Sequence, residues 1–197
     1  GSSFGDLPLG FDFQIYKGSA DSPISYVKFT VQEVFPTGRY QNLNPKKLGT
    51  DAGGQGAYST SFGFTASRLF RFASDRFLNW RTNITAVYSF PVHVKGLNVY
   101  GGEPGTRGKV SVGPSYLLFS GIEYTLTKKW SLACDIEAAY GGKDKFHGRT
   151  NVFVGSGTSA QFTLAPAIEY NWDECCGIIV GSWFTLAGRN TPRFYSG

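Results

Sequence analysis

The chain of 197 residues is long enough for one domain, and it combines 26 glycines and 16% aromatic residues with only 17% charged residues. This composition excludes an intrinsically disordered chain and is unusual for a helical protein. The net charge of +5 comes without a run of lysines and arginines, which excludes a nucleic-acid-binding arm, and no stretch approaches the roughly 18 apolar residues of a membrane-spanning helix.

Alternation of apolar and polar residues predicts eight β-strands in chain order. We expect them at about 10–17, 24–35, 57–71, 77–90, 110–126, 129–140, 159–171 and 175–186. Four connections are short (18–23, 72–76, 127–128 and 172–174), and three are long and rich in glycine (36–56, 91–109 and 141–158). Short and long connections alternate without exception, which is typical of outer-membrane barrels.

The segment VSVGPSYLLFSGIEYTLTKKWSLACDIEAAY, residues 110–140, indicates which face is which. A tight turn at 127–128 places Ile122 near Cys134 and Leu118 near Ala138 on one face, and Gly121 near Asp135 and Phe119 near Glu137 on the other. The first face is an apolar band that starts at Val110, Val112 and Pro114 and is bracketed by aromatic residues: Tyr116 and Tyr140 at one end, Tyr124 and Trp130 at the other. Such bracketing is what the two membrane interfaces favour.

Three details depart from this pattern. Glu33 and Arg68 fall on the apolar faces of their strands, and the segment 175–186 alternates poorly. Pro114 and Pro166 cannot donate to a strand ladder and predict local bulges.

These patterns predict a single all-β domain over 1–197, an antiparallel up-and-down transmembrane β-barrel in the bacterial outer membrane. A soluble lipocalin-like barrel with inverted faces is the alternative, and alternation alone does not separate the two. Because unpaired strand edges are costly in lipid, and because the segment 175–186 ends on the long-loop side, we expect about eight strands here and ten to twelve in the complete protein.

Three stretches carry a family resemblance: VQEVFPTGRYQNLNP at 31–45, the hairpin from 112 to 140, and LAPAIEYNW with the later GSWFTLAGRN. On these residues the chain resembles outer-membrane transporters of the meta-pathway phenol degradation family, which are distantly similar to FadL-type channels. The resemblance implies passive uptake of small solutes, with aromatic or hydrophobic compounds among them.

In this interpretation the charged residues of the polar faces line the lumen. They are Asp12, Lys28, Arg81, Glu123, Asp135, Glu137 and Glu169. A wall rich in carboxylates favours cations or polar solutes. Alternatively, these groups pair across strands and plug the interior. Leu117 and Phe119, on the same faces, would line a path for apolar compounds.

The long loops form a basic rim. Its residues are Arg39, Lys46, Lys47, Lys95, Arg107, Lys109, Lys143, Lys145 and Arg149, offset by one carboxylate in each loop, and Arg189 and Arg193 add to it from the C-terminal tail. Each loop therefore carries a net charge of +2. Such a rim would attract the phosphates of lipopolysaccharide or anionic solutes. Alternatively, these cations belong to ordinary solvated loops and bind no partner. A structural or adhesive barrel that binds partners through these loops is the alternative function.

An outer-membrane enzyme is the remaining class. It would need a nucleophile, a base and an orienting acid, and the only two histidines, His93 and His147, lie in long loops without a nucleophile elbow. Cys134, Cys175 and Cys176 have no metal-ligand spacing, so we expect no catalytic centre, metal or cofactor. The expected partners are membrane lipid and a small solute, with no nucleic acid, and the oligomeric state stays open.

Overall fold

The computed structural model describes residues 4–19, 22–173, 175–191 and 195–196. In this part of the chain it contains thirteen strands: β1 (Leu7–Lys17), β2 (Tyr26–Phe35), β3 (Ser59–Ala73), β4 (Arg76–Ser89), β5 (Val92–Lys95), β6 (Arg107–Ser111), β7 (Ser115–Thr125), β8 (Trp130–Gly141), β9 (Lys145–Arg149), β10 (Ser159–Asn171), β11 (Gly177–Gly181), β12 (Trp183–Arg189) and β13 (Tyr195–Ser196). A 3-10 helix spans Pro45–Lys47. No helix in the described residues is long and apolar enough to cross a membrane.

Ten of these strands form one antiparallel sheet, here called the wall. Its order is β1-β2-β3-β4-β7-β8-β10-β12-β13, with β11 also paired to β10. Neighbours in the wall follow chain order, as in an up-and-down meander, and the all-β antiparallel fold class is confirmed. Within the described residues no pairing joins β1 to β12 or β13, so barrel closure and additional terminal strands stay predictions.

The predicted hairpin register is correct. Strand β7 pairs with β8 so that Ile122 opposes Cys134 and Leu118 opposes Ala138, while Tyr116 opposes Tyr140 at the long-loop end. The rings of those two tyrosines stack with centroids 6.3 Å apart. Gly121 opposes Asp135 and Phe119 opposes Glu137, as expected for the polar face.

Burial in the wall is inverted relative to a soluble protein. The exposed large side chains are those of the predicted apolar faces, including Phe64, Ile84, Leu118, Ile122 and Ile136. The buried side chains are polar and lie on the opposite face: Thr65, Ser67, Ser131, Thr163 and Thr185. The sheet therefore presents its apolar face to the surroundings and its polar face to the interior.

The long connections carry a hydrophobic core of their own. Strands β5, β6 and β9 pair into a three-stranded antiparallel sheet, here called the loop sheet. Its inner face and neighbouring loops bury Ala57, Val92, Val94, Val110 and Val154, which form one cluster. The prediction that 91–109 and 141–158 are only loops was therefore wrong, because alternating apolar residues pack into strands there.

The predicted strand 110–126 is in fact two strands in different sheets. Val110 belongs to β6 in the loop sheet, and β7 of the wall begins at Ser115. Pro114 lacks the N–H that a continuous ladder would need, and a Cβ on Gly113 would lie 2.2 Å from the carbonyl oxygen of Gly142. The chain therefore bends at this close approach, and Val110 and Val112 do not continue the exposed apolar face.

The predicted strand 175–186 is also interrupted. Strand β10 pairs with β11 from Ala167 onward and with β12 up to Leu164. The break lies opposite Pro166, whose carbonyl accepts from the N–H of Ser182 at 3.1 Å. Since the N–H and C=O of one residue point to the same side of an antiparallel strand, the donor that Pro166 lacks would have faced this break.

The two charged residues on the apolar faces have local partners. Glu33 pairs with Thr60, and the Thr60 hydroxyl donates to the Glu33 carboxylate at 2.5 Å. The guanidinium of Arg68 lies 4.2 Å from the ring centroid of Phe70 on the same face. Each side chain is thus held against the sheet near a strand end.

Candidate functional site

The candidate site is the polar inner face of the wall. One cross-strand row on it runs through Lys28, Thr65, Asn83, Phe119 and Glu137, which are paired in succession from β2 to β8. Directly paired residues point to the same side of a sheet, so one row places residues from five strands on a common surface. The row therefore places Lys28 and Glu137 on one surface, at opposite ends of the five strands.

A second row contains the strongest concentration of charge. Arg81 on β4 pairs with Gly121 on β7, and Gly121 pairs with Asp135 on β8. With Asn79 and Glu123, these residues line a cleft of about 180 Å³. A Cβ on Gly121 would clash with Oδ1 of Asp135. The Asp135 carboxylate therefore occupies space that is free because residue 121 is a glycine.

Three of the five predicted lumen carboxylates have no protein partner. Within the described residues, Glu123, Asp135 and Glu137 make no hydrogen bond or ion pair with another side chain or backbone group. Glu169 differs, since its carboxylate accepts from the Asn171 amide at 3.0 Å. The unpartnered groups are therefore available to ions and water on this face.

The opposite flank of the face is neutralised internally. The ammonium of Lys28 lies 3.0 Å from a carboxylate oxygen of Asp12, and the Thr30 hydroxyl donates to the other oxygen at 2.6 Å. This pair belongs to β1 and β2, whereas the unpartnered carboxylates belong to β7 and β8. Negative charge is thus concentrated on one side of the inner face.

An apolar surface lies between the two flanks. Phe119 and Leu117 line a cleft of about 330 Å³ together with Tyr26, Lys28 and Arg81. The guanidinium of Arg81 is 5.7 Å from the ring centroid of Phe119. Because this cleft shares Lys28 with one neighbouring cleft and Arg81 with another, the three form a continuous row along the inner face.

Two of the three loop carboxylates, Asp51 and Asp144, are buried and hydrogen-bonded in the long-loop layer. Asp144 accepts from the backbone N–H groups of Gly113 and Ser156 at 2.9 and 2.8 Å, and from the Ser156 hydroxyl at 2.9 Å. Asp51 is 7% exposed, and the N–H of Asn44 donates to it at 3.0 Å. That hydrogen bond, with a smaller contribution from the charge of Arg39, lowers the pKa of Asp51 below its ordinary value.

The nine predicted rim cations are all exposed, and the structure divides them into groups. Five lie on the loop sheet: Lys95, Arg107, Lys109, Lys145 and Arg149. Arg39, Lys46 and Lys47 belong to the 36–56 loop, and Lys143 precedes β9. Arg189 ends β12, whereas Arg193 lies outside the described residues.

The remaining reactive residues do not converge. The side chains of His93 and His147 have no hydrogen bond within the described residues, and each flanks Lys109 on the loop sheet. Cys175 and Cys176 are free and exposed beside the turn after β10. No group of three or more His, Cys, Asp or Glu side chains in the described part of the chain could hold a metal ion.

Sequence reasoning missed the loop strands and the role of Asp144. The alternation VHVK at 92–95, together with RGKVS at 107–111 and KFHGR at 145–149, was the signal for the strands. Each run is only four or five residues long, which is why glycine-rich surroundings obscured it. Nothing in the sequence marks Asp144 as a residue that ties two strand junctions together.

Comparison with known proteins supports the fold. No protein-family model and no curated protein matches this chain. The chain is similar to the crystal structure of an outer membrane channel from Pseudomonas putida F1, with 14% sequence identity and a TM-score of 0.65 over 98% of this chain. The match covers 63% of the length of that channel. This similarity shows that the chain has the β-strand fold of an outer membrane channel.

Proposed function

We propose that this protein is a channel of the bacterial outer membrane that lets small solutes pass passively along the polar face of its wall. The observation that carries the proposal is the set of three unpartnered carboxylates, Glu123, Asp135 and Glu137, on a face backed by an exposed apolar one. The fold shared with a solved outer membrane channel supports it.

The dimensions of the apolar face fit a bilayer. Trp130 and Tyr140, the aromatic residues that bracket β8, are ten residues apart and both exposed. At about 3.3 Å per residue they are about 33 Å apart along the strand, and a tilt of about 40° reduces this to about 25 Å along the membrane normal. That is the height of the apolar band on outer-membrane barrels, roughly 25 Å.

The charge distribution supports a preference for cations and polar solutes over anions. An unpaired carboxylate on a partly enclosed wall attracts cations more strongly than one in bulk water, because the low-dielectric sheet focuses its field. Phe119 and Leu117 add an apolar surface beside these carboxylates, which suits solutes with an aromatic ring and a positive or neutral polar group. No catalytic step is needed for this role.

The proposal is tested by single-channel recording of the full-length protein in planar bilayers under a KCl gradient. We expect stepwise conductance and a reversal potential on the cation-selective side, which shifts toward zero in the combined variant Glu123→Gln, Asp135→Asn, Glu137→Gln. Asp75→Asn is compared with Asp135→Asn alone as the control for one removed carboxylate, since Asp75 lies in the turn between β3 and β4 rather than on the inner face. Stable insertion without conductance, or an equal shift in both proteins, would contradict the proposal.

A further inference from the structure

One face of the loop sheet is a cationic surface. The odd-numbered residues of β5, β6 and β9 point away from the valine core, and their large side chains are exposed. Strand pairing arranges six of them in two cross-strand rows: His93–Lys109–His147 and Lys95–Arg107–Arg149. Lys145 extends the same face opposite Ser111. This array of basic groups, here called the cationic ladder, contains both histidines of the chain and five lysines or arginines.

No anion of the described chain balances the cationic ladder. Its five lysine and arginine side chains make no ion pair or hydrogen bond with the described residues. The nearby loop carboxylates Asp51 and Asp144 are instead buried in backbone hydrogen bonds. Like charges placed directly opposite each other destabilise a sheet, since paired Cβ atoms are only about 4.5–5.5 Å apart. An external anion with several closely spaced negative groups would relieve the repulsion within the row of Lys95, Arg107 and Arg149.

The cationic ladder continues three adjacent wall strands. Strand β5 follows β4 after two residues, β6 precedes β7 by three, and β9 follows β8 after three. In β4, β7 and β8 the exposed large apolar residues are even-numbered, as with Tyr88, Tyr116 and Tyr140. In the loop sheet the even-numbered valines are buried and the odd-numbered basic residues are exposed, so the exposed set changes parity at the junction.

The junction shows which side the cationic ladder faces. Val112 and Asp144, on the buried parity of the loop sheet, line one cleft with Ser115, Gly141 and Ser159, which lie on the inner face of the wall. The buried side of the loop sheet therefore continues the inner face of the wall. Consequently the cationic ladder lies on the lipid-facing side, just beyond the exposed aromatic residues that end the apolar band.

We propose that the cationic ladder binds the phosphorylated sugar headgroup of lipopolysaccharide in the outer leaflet around the channel. This inference rests on the proposed outer-membrane location, and it assigns a lipid partner that solute passage does not require. Cations one step beyond an apolar band lie at the depth of lipid phosphates, whose paired charges suit two parallel rows of basic side chains. Acyl chains of the same molecule would contact the exposed aromatic and aliphatic side chains below.

The test is a native mass spectrometry titration of the detergent-solubilised full-length protein with diphosphoryl lipid A and with dephosphorylated lipid A. The test variant combines Lys95→Gln, Arg107→Gln, Lys109→Gln and Arg149→Gln. The control combines Lys17→Gln, Arg76→Gln, Lys128→Gln and Lys129→Gln, which removes the same charge from exposed positions at the tight-turn rim. Should the combined variant not fold, Lys109→Gln alone serves, because Lys109 lies at the centre of the first row.

We expect diphosphoryl lipid A to bind at least about tenfold more weakly to the test variant than to the wild type and the control. Lys109→Gln alone should lower the affinity for this lipid about fivefold, since each cation near an anionic headgroup contributes about 1 kcal/mol. The proposal would be overturned by equally weak binding to test and control, or by no preference for the phosphorylated lipid. Complete displacement of the lipid by inorganic pyrophosphate would also overturn it, because the ligand would then be a free anion. Insertion into lipid vesicles is scored separately. Failure to insert therefore refutes the proposed location, whereas insertion without this binding refutes only the lipid site.

Discussion

The membrane-facing assignment of the apolar face predicts opposite effects for one charge placed at two adjacent residues. Ile84 and Thr85 follow each other on β4 and point to opposite sides of the wall. Ile84 is 58% exposed and is paired with two other exposed apolar residues, Phe64 and Leu118. Thr85 faces the interior, where its partner Gly63 leaves space beside it. We compare Ile84→Arg with Thr85→Arg.

The expected cost of Ile84→Arg depends on how deep residue 84 lies within the apolar band. Ile84 lies four residues from Trp80 and four from Tyr88, the exposed aromatic residues at the ends of the band. It is therefore at the middle of the apolar band, where an arginine on the lipid side costs about 2–4 kcal/mol. That is roughly a 30- to 1,000-fold change in the folding equilibrium. Thr85→Arg loses the hydrogen bond to Asn83 and should cost about 1 kcal/mol.

The measurement is equilibrium folding into lipid vesicles under a denaturant titration, followed by tryptophan fluorescence. Ile84→Gln and Thr85→Gln serve as uncharged controls for side-chain size. If the face of Ile84 met water instead of lipid, Ile84→Arg would change the free energy of unfolding by less than about 0.5 kcal/mol, as exposed surface substitutions do. A result of that size, or a larger cost for Thr85→Arg than for Ile84→Arg, would refute the membrane-facing assignment.

Three further predictions concern the loops and the inner face. Because the folded-state pKa of Asp51 lies below its unfolded value of about 3.9, its contribution to stability is present above that pH and lost as the pH falls below it. Amide exchange in residues 41–52, corrected for intrinsic rates, should therefore accelerate on acidification in the wild type. The acceleration should be much smaller in Asp51→Asn. Asp144→Asn weakens three hydrogen bonds to a buried carboxylate and should destabilise the loop sheet by about 1.5–3 kcal/mol. Amide exchange should become faster in β6 and β9 and stay unchanged in β3 and β4. An equal change of exchange in all four strands would contradict a local role of Asp144. Gly121→Val should reduce single-channel conductance because its Cβ displaces Asp135 into the cleft beside Arg81, whereas Gly10→Val, whose nearest Cβ contact is 3.5 Å, should not.

Much of the wall could be predicted from the sequence because its exposed face is mainly apolar and its opposite face is mainly polar. In the proposed location, lipid favours Ile122 and Leu118 on one face of β7 and water favours Gly121 and Glu123 on the other, while Leu117 and Phe119 interrupt the alternation. Register followed from the tight turn, since a one-residue slip would exchange the faces. The charged residues of the inner face were predicted for the same reason, although pairing alone shows that Asp12 is neutralised by Lys28 and that Asp135 is not.

The loop layer could not be predicted because its strands are short and its hydrogen bonds depend on distant residues. Four residues of β5 carry too little periodicity to distinguish a strand from a loop, and its partner β6 lies beyond a glycine-rich segment. Val110 and Val112 were assigned to the lipid face by extending the parity of β7 backwards through Gly113 and Pro114. The close approach of Gly113 to Gly142, which breaks that parity, is a tertiary contact with no local signal.

In the proposed outer-membrane location, the parity change marks the boundary of the lipid. It occurs at three places that are distant in sequence, at 90–91, 112–114 and 142–144, yet adjacent in the sheet. Before the change, an apolar side chain is favoured on the outer face because it contacts lipid there. Beyond the change, water surrounds the chain, so valine side chains are favoured on the inner face, where they are buried. Three neighbouring strands would have no common reason to exchange faces at one level inside a uniform solvent. The proposed membrane interface therefore lies between the exposed Tyr88, Tyr116 and Tyr140 just before the change and the cationic ladder just after it.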